Sequence, residues 1–102
     1  MSNVSFIGIA NGPIQPDLSE NAQTVVVNTS ATAITVTSGS YAVTAKSGWV
    51  FMGLQNNTSN SNRRWVIPAG QTSLVRIPHD TTTVYAWSDS TDVTVYLQKV
   101  VT

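Results

Sequence analysis

A chain of 102 residues has the length of one domain and no room for a second independent core. Its charged residues number five of each sign, and the formal net charge of zero gives no long-range field to gather phosphates or anionic lipid, which argues against nucleic-acid and membrane partners. The absence of cysteine excludes disulfides, thiolate metal sites and cysteine nucleophiles together.

The composition is rich in small polar side chains, with 14 Thr, 12 Ser and 8 Asn beside 41% hydrophobic residues. Such a chain can bury a core and hydrate its surface through hydroxyls and amides instead of charges, and low net charge fits a protein meant to associate. The opening Met1-Ser-Asn-Val-Ser shows no basic stretch followed by an apolar one, so synthesis in a cytoplasm is expected. Apolar runs of a few residues are too short for a membrane-spanning helix.

The apolar period is two almost from end to end, which predicts strands. A short strand is expected over Val4 to Ile9. Residues 11 to 22 hold Pro13 and Pro16, which fix φ and bias their neighbours towards extended backbone. We read residues 1–22 as an N-terminal strand and arm, docked on its own domain or crossing to a neighbouring subunit, and residues 23–102 as the domain. Strands are expected around Val25 to Val27, Ile34 to Val36 and Tyr41 to Ala45. The segment Trp49-Val-Phe-Met-Gly-Leu54 is apolar on both faces, so its strand is central and covered on each side, or continues into a subunit contact. The polar run Gln55 to Arg64 is a long hairpin loop between two Trp-bearing strands, of a length often given to function. Further strands follow at Trp65 to Ile67, Leu74 to Ile77, Val84 to Trp87 and Val93 to Val101. Turn residues separate them, as in Ser38-Gly-Ser40, Pro68-Ala-Gly-Gln71, Pro78-His-Asp80 and Asp89-Ser-Thr-Asp92. About eight strands at this spacing predict an all-β domain, a single small β-sandwich (jelly-roll-like or immunoglobulin-like) or a short barrel.

Few residues invite chemistry. His79, the one histidine, sits beside Asp80, but adjacent residues in a strand or turn are expected to point apart and no partner set with triad or metal spacing exists. The acids Asp17, Glu20, Asp80, Asp89 and Asp92 lie in predicted loops, where turn capping accounts for them. The Asp89 to Asp92 run lacks the density of oxygen donors that Ca²⁺ demands. We expect no catalytic residue, no metal, no cofactor and no enzymatic activity. The aromatics Trp49, Trp65, Trp87, Tyr41, Tyr85 and Tyr96 read as core or interface anchors, with a sugar platform as the alternative. Arg63 and Arg64, the only adjacent cations, suit a protein contact or a solvated loop end. The four Asn-x-Ser/Thr matches, at Asn3, Asn28, Asn56 and Asn57, are expected by chance in so polar a chain.

The run Trp65-Val-Ile-Pro-Ala-Gly-Gln-Thr-Ser-Leu-Val-Arg-Ile-Pro78, followed by Thr81-Thr-Thr-Val-Tyr-Ala-Trp-Ser-Asp-Ser90 and Asp92-Val-Thr-Val-Tyr-Leu-Gln-Lys-Val100, resembles small β domains of tailed-bacteriophage virion proteins. In these an Ile-Pro-Ala-Gly turn precedes a strand, a Thr-Thr-x-Tyr-Ala strand follows and a Val-Thr-Val strand closes. The likeness covers about residues 65 to 100. It implies a non-enzymatic virion component made in the host cytoplasm: a head decoration (cement) protein, or a small fibre or tail-associated domain. Such a protein forms a homo-oligomer, with a trimer favoured, and its partners are the major capsid protein or other virion proteins. Trp49, Phe51, Arg63, Arg64 and Trp65 are the candidate contact residues. The alternative is a carbohydrate-binding, host-recognition module of a fibre, for which Trp87 with Asp89 and Asp92 is the best local match.

Overall fold

A two-residue period puts every second side chain on one side, so segments built of alternating valine and threonine gain most by extending with the valines turned inward. In a computed structural model that describes residues 15–101, they form nine strands. These are β1 Gln15–Pro16, β2 Gln23–Val27, β3 Thr32–Thr35, β4 Gly39–Ala45, β5 Val50–Gly53, β6 Trp65–Ile67, β7 Thr72–Ile77, β8 Thr83–Ser88 and β9 Val93–Val101. A single 3₁₀ turn, Asn60–Asn62, is the one helical element among the described residues. The strand expected over Val4 to Ile9 lies outside them.

The strands make two antiparallel sheets. In sheet A, β4 and β7 lie on one side of β9 while β1 and β2 share its other side; sheet B runs β3-β8-β5-β6. The pairing is nested: β5 with β6, β4 with β7, β3 with β8 and β2 with β9. A chain doubled back at the β5–β6 hairpin and rolled so that successive rungs alternate between two sheets is a jelly roll. That order decides among the architectures the alternation left open, because an immunoglobulin-like sandwich distributes its strands differently and a barrel would join the sheets at their edges.

The core lies between the sheets. Val27, Val43, Val75, Val95 and Leu97 come from sheet A and Ile34, Val50, Met52, Ile67 and Val84 from sheet B, all nearly or wholly buried. Each such side chain contributes about 1.5–3 kcal/mol relative to exposure, which is how a chain with so few charges holds together.

Residues 15–22, the described part of the predicted arm, dock on their own domain. Gln15 and Pro16 pair with Val101 and Val100, and the Asp17 amide donates to the Lys99 carbonyl at 2.8 Å. A polar clamp holds the next turn. Glu20 Oε2 accepts from the Thr37 hydroxyl (2.8 Å) and from Lys99 Nζ (3.4 Å), and Oε1 accepts from the Tyr41 hydroxyl (3.4 Å). The Thr37 hydroxyl, followed by Lys99, holds the Glu20 carboxyl below its ordinary pKa against the opposing effect of partial burial. Asp17 is lowered too, first by the Ser19 hydroxyl and then by the Ser19 amide, in an Asx turn.

Candidate functional site

Strand β5 explains the two-faced apolar segment. Val50 and Met52 point into the core while Phe51 turns to the outer face of sheet B, yet Phe51 too is buried. It is covered from both sides. The Trp87 ring on β8 lies 6.2 Å away, tilted by 46°, and the Arg63 guanidinium sits 3.8 Å over the Phe51 ring. A planar cation over an aromatic face is attracted by the ring quadrupole and still keeps its outer edge wet. Phe51 and Trp87 thus form a small second cluster, separate from the main core.

Arg63 is delivered there by the end of the β5–β6 loop, where Asn62 lies against the sheet while residues 55–61 stay exposed. Gly53 permits the approach, since a Cβ at that position would collide with the Asn62 carbonyl. Asn62 then fastens the loop: its Nδ2 donates to the carbonyls of Gln55 (2.7 Å) and Asn57 (2.8 Å), and its Oδ1 accepts from the Gln55 amide (3.1 Å). The Arg64 amide closes the hairpin on the Met52 carbonyl at 2.8 Å.

Around this cover lies the exposed apolar surface of the same face. Val66, directly across from Phe51, is 45% exposed. Trp49, immediately before β5, is 47% exposed. Arg64 stands 5.5 Å over the ring of Trp65, which is half-buried and packs on the core from the edge strand β6. Of the five predicted contact residues, Trp49, Arg63 and Arg64 are therefore available to a partner, Trp65 in part, and Phe51 serves as the buried support beneath Arg63. Val66 is the residue that sequence reasoning missed. Its signal was its place between Trp65 and Ile67, an apolar residue on the solvent side of an edge strand.

The predicted sugar platform does not form around Trp87. Its ring is only 3% exposed, against Phe51, and offers no face to a ligand. Asp89 and Asp92 lie in the β8–β9 turn, where Asp92 adopts left-handed backbone (φ 57°) and its amide donates to Asn28 Oδ1 at 2.9 Å. His79 is exposed on the β7–β8 turn. It does not point away from Asp80 as expected of neighbours: left-handed backbone at Asp80 (φ 64°) folds the turn so that Nε2 comes 3.4 Å from the Asp80 carboxylate. No cluster of three or more His, Cys, Asp or Glu occurs among the described residues. The chain matches no protein-family model, no curated protein and no solved structure.

Proposed function

We propose that this chain is a non-enzymatic structural protein of a tailed-bacteriophage virion, a decoration protein that binds the head surface as a homo-oligomer. The observation that carries the assembly role is the half-exposed Val66 across from Phe51 and its Arg63 cover on the outer face of sheet B, with half-exposed Trp49 just before the same strand and Arg64 over Trp65 at the sheet's edge. Tryptophan and arginine are the residue types enriched at binding hot spots, and Val66 adds exposed apolar area to them. The virion assignment rests on the likeness of residues 65 to 100 to small phage β domains, and a jelly roll is a fold that viral capsid proteins use among others. Repeated copies on a particle would let individually weak contacts hold firmly.

Two measurements test the two parts. Light scattering on the full chain is expected to give a closed oligomer, and Trp49→Ala is expected to shift it towards monomer without loss of fold. Density-purified particles of a phage encoding the chain are expected to carry it in fixed ratio to the major capsid protein. A chain absent from such particles is not a virion protein, and a monomer both in solution and on the particle has no oligomeric role.

A further inference from the structure

The outer face of sheet A carries an open groove of about 630 Å³ that the assembly surface does not use. It follows from the register. Thr24 on β2, Tyr96 on β9, Thr44 on β4 and Thr72 on β7 lie opposite one another, so one rung of four side chains crosses four strands. At the spacing of neighbouring strands this rung is about 14 Å long. On the next outward-facing rung Ala42 lies between Gln98 and Leu74, and its missing bulk lowers the floor. The β1–β2 connection walls one side and the β6–β7 turn the other.

The chemistry of this rung is specific in kind. No residue lining the groove carries a charge, so nothing there offsets the desolvation of a phosphate, carboxylate or ammonium. Its polar groups are hydroxyls, amides and one phenol, set among apolar surface from Pro16, Ala22, Ala42, Leu97 and Val100. Tyr96 is 40% exposed although it stands mid-sheet in the longest strand, at a position where the rung's other members are threonines. The Thr44 and Thr72 hydroxyls are 2.6 Å apart and share a hydrogen bond, which leaves each free to make another. Gln98 has its Nε2 held by the Lys99 carbonyl at 2.9 Å, which turns its Oε1 into the end available to a ligand's hydroxyl.

We propose that this groove binds a neutral oligosaccharide of two or three rings, with the apolar face of one ring against Tyr96 and its hydroxyls on Thr44, Thr72 and Gln98. A sugar ring has the matching make-up, with C–H groups on its face and hydroxyls around its rim. The volume lies in the range of small-ligand sites. A protein partner would call for a broader face than a groove one rung of four side chains long. The site is independent of the contact surface on sheet B and of the virion assignment.

The test uses the full chain on an immobilised array of neutral tri- and tetrasaccharides, followed by amide-shift mapping with the best binder. Saturable binding is expected, with dissociation constants of about 0.1–1 mM, and shift changes at Thr24, Thr44, Thr72 and Tyr96. Tyr96→Ala is expected to weaken binding at least about tenfold, Tyr96→Phe to retain most of it, and Trp49→Ala to bind as the parent does. No binding to any neutral glycan overturns the proposal. So do shifts that map to the Trp49 face, and so does a Tyr96→Ala protein that binds normally. Concentration-dependent shifts confined to the groove without sugar would also overturn it, by making a second copy of the chain the occupant.

Discussion

Replacing Asn62 by alanine isolates what fastens the β5–β6 loop to the sheet. The side chain makes three hydrogen bonds of 2.7–3.1 Å, all within the loop and all near solvent. At the lower end of the usual net value for each, the loss amounts to about 1.5 kcal/mol. The cost falls first on the docked loop and only then on the whole fold, because the core strands do not depend on Asn62. Trypsin reads this directly, since Arg63 and Arg64 follow Asn62 in the segment it fastens. Where cleavage follows the equilibrium population of the opened loop, about 1.5 kcal/mol corresponds to roughly 10-fold faster cutting. Asn62→Asp keeps the acceptor for the Gln55 amide but sets a carboxylate against two carbonyls, so it should be cut at least as fast as the alanine variant. Urea unfolding followed by tryptophan fluorescence gives the global part. If Asn62→Ala is cut no faster than the parent, the loop is held by something other than this side chain, and the account of how Phe51 is covered fails with it.

Gly53→Ala places a methyl group against the Asn62 carbonyl, and relieving that contact is expected to cost about 1–3 kcal/mol by chemical denaturation. Met52→Ala, at a wholly buried position between the sheets, should cost about 2–5 kcal/mol and lower the thermal midpoint accordingly. Glu20 predicts an acid response. Its folded pKa lies below the ordinary value of 4.5, so the carboxylate stabilises the fold above that value and the contribution is lost as pH falls through the lowered folded pKa. Thermal midpoints measured from pH 7 down to pH 3 should therefore drop more for the parent than for Glu20→Gln, with Asp17 supplying the remainder of the slope.

The strands of this fold were legible because their cause is local. Val43 and Ala45, or Val93 and Val95, alternate with polar neighbours, and that pattern has no other low-energy arrangement. The two-sided burial of β5 was legible for the same reason, since Phe51 between Val50 and Met52 leaves no polar side. What covers Phe51 was not. Arg63 reaches it only because Gly53 and Asn62 let the end of the loop lie against the sheet, and nothing in a run of Asn and Ser announces which amide does the fastening. Trp87 misled for a related reason: its position in the alternation is outward, and only the pairing of β8 with β5 brings the Phe51 ring against it. The rung from Thr24 to Thr72 joins residues 48 positions apart through three registers, information that no short window contains.

The nested order of strand pairs also sets the sequence of events by which the molecule can assemble. The innermost pair, β5 with β6, closes a short loop, whereas β2 with β9 must bring together Gln23 and Leu97. Loop-closure entropy makes the inner rung the inexpensive one, and each rung formed shortens the closure left for the next. Association should spread outward from the hairpin, with β9, which joins three separate strands, arriving last. Contacts so distant along the chain place this domain among slow folders, in the millisecond-to-second range. Until β9 arrives, β4 lacks one of its two neighbours and presents an unpaired backbone edge to any chain nearby.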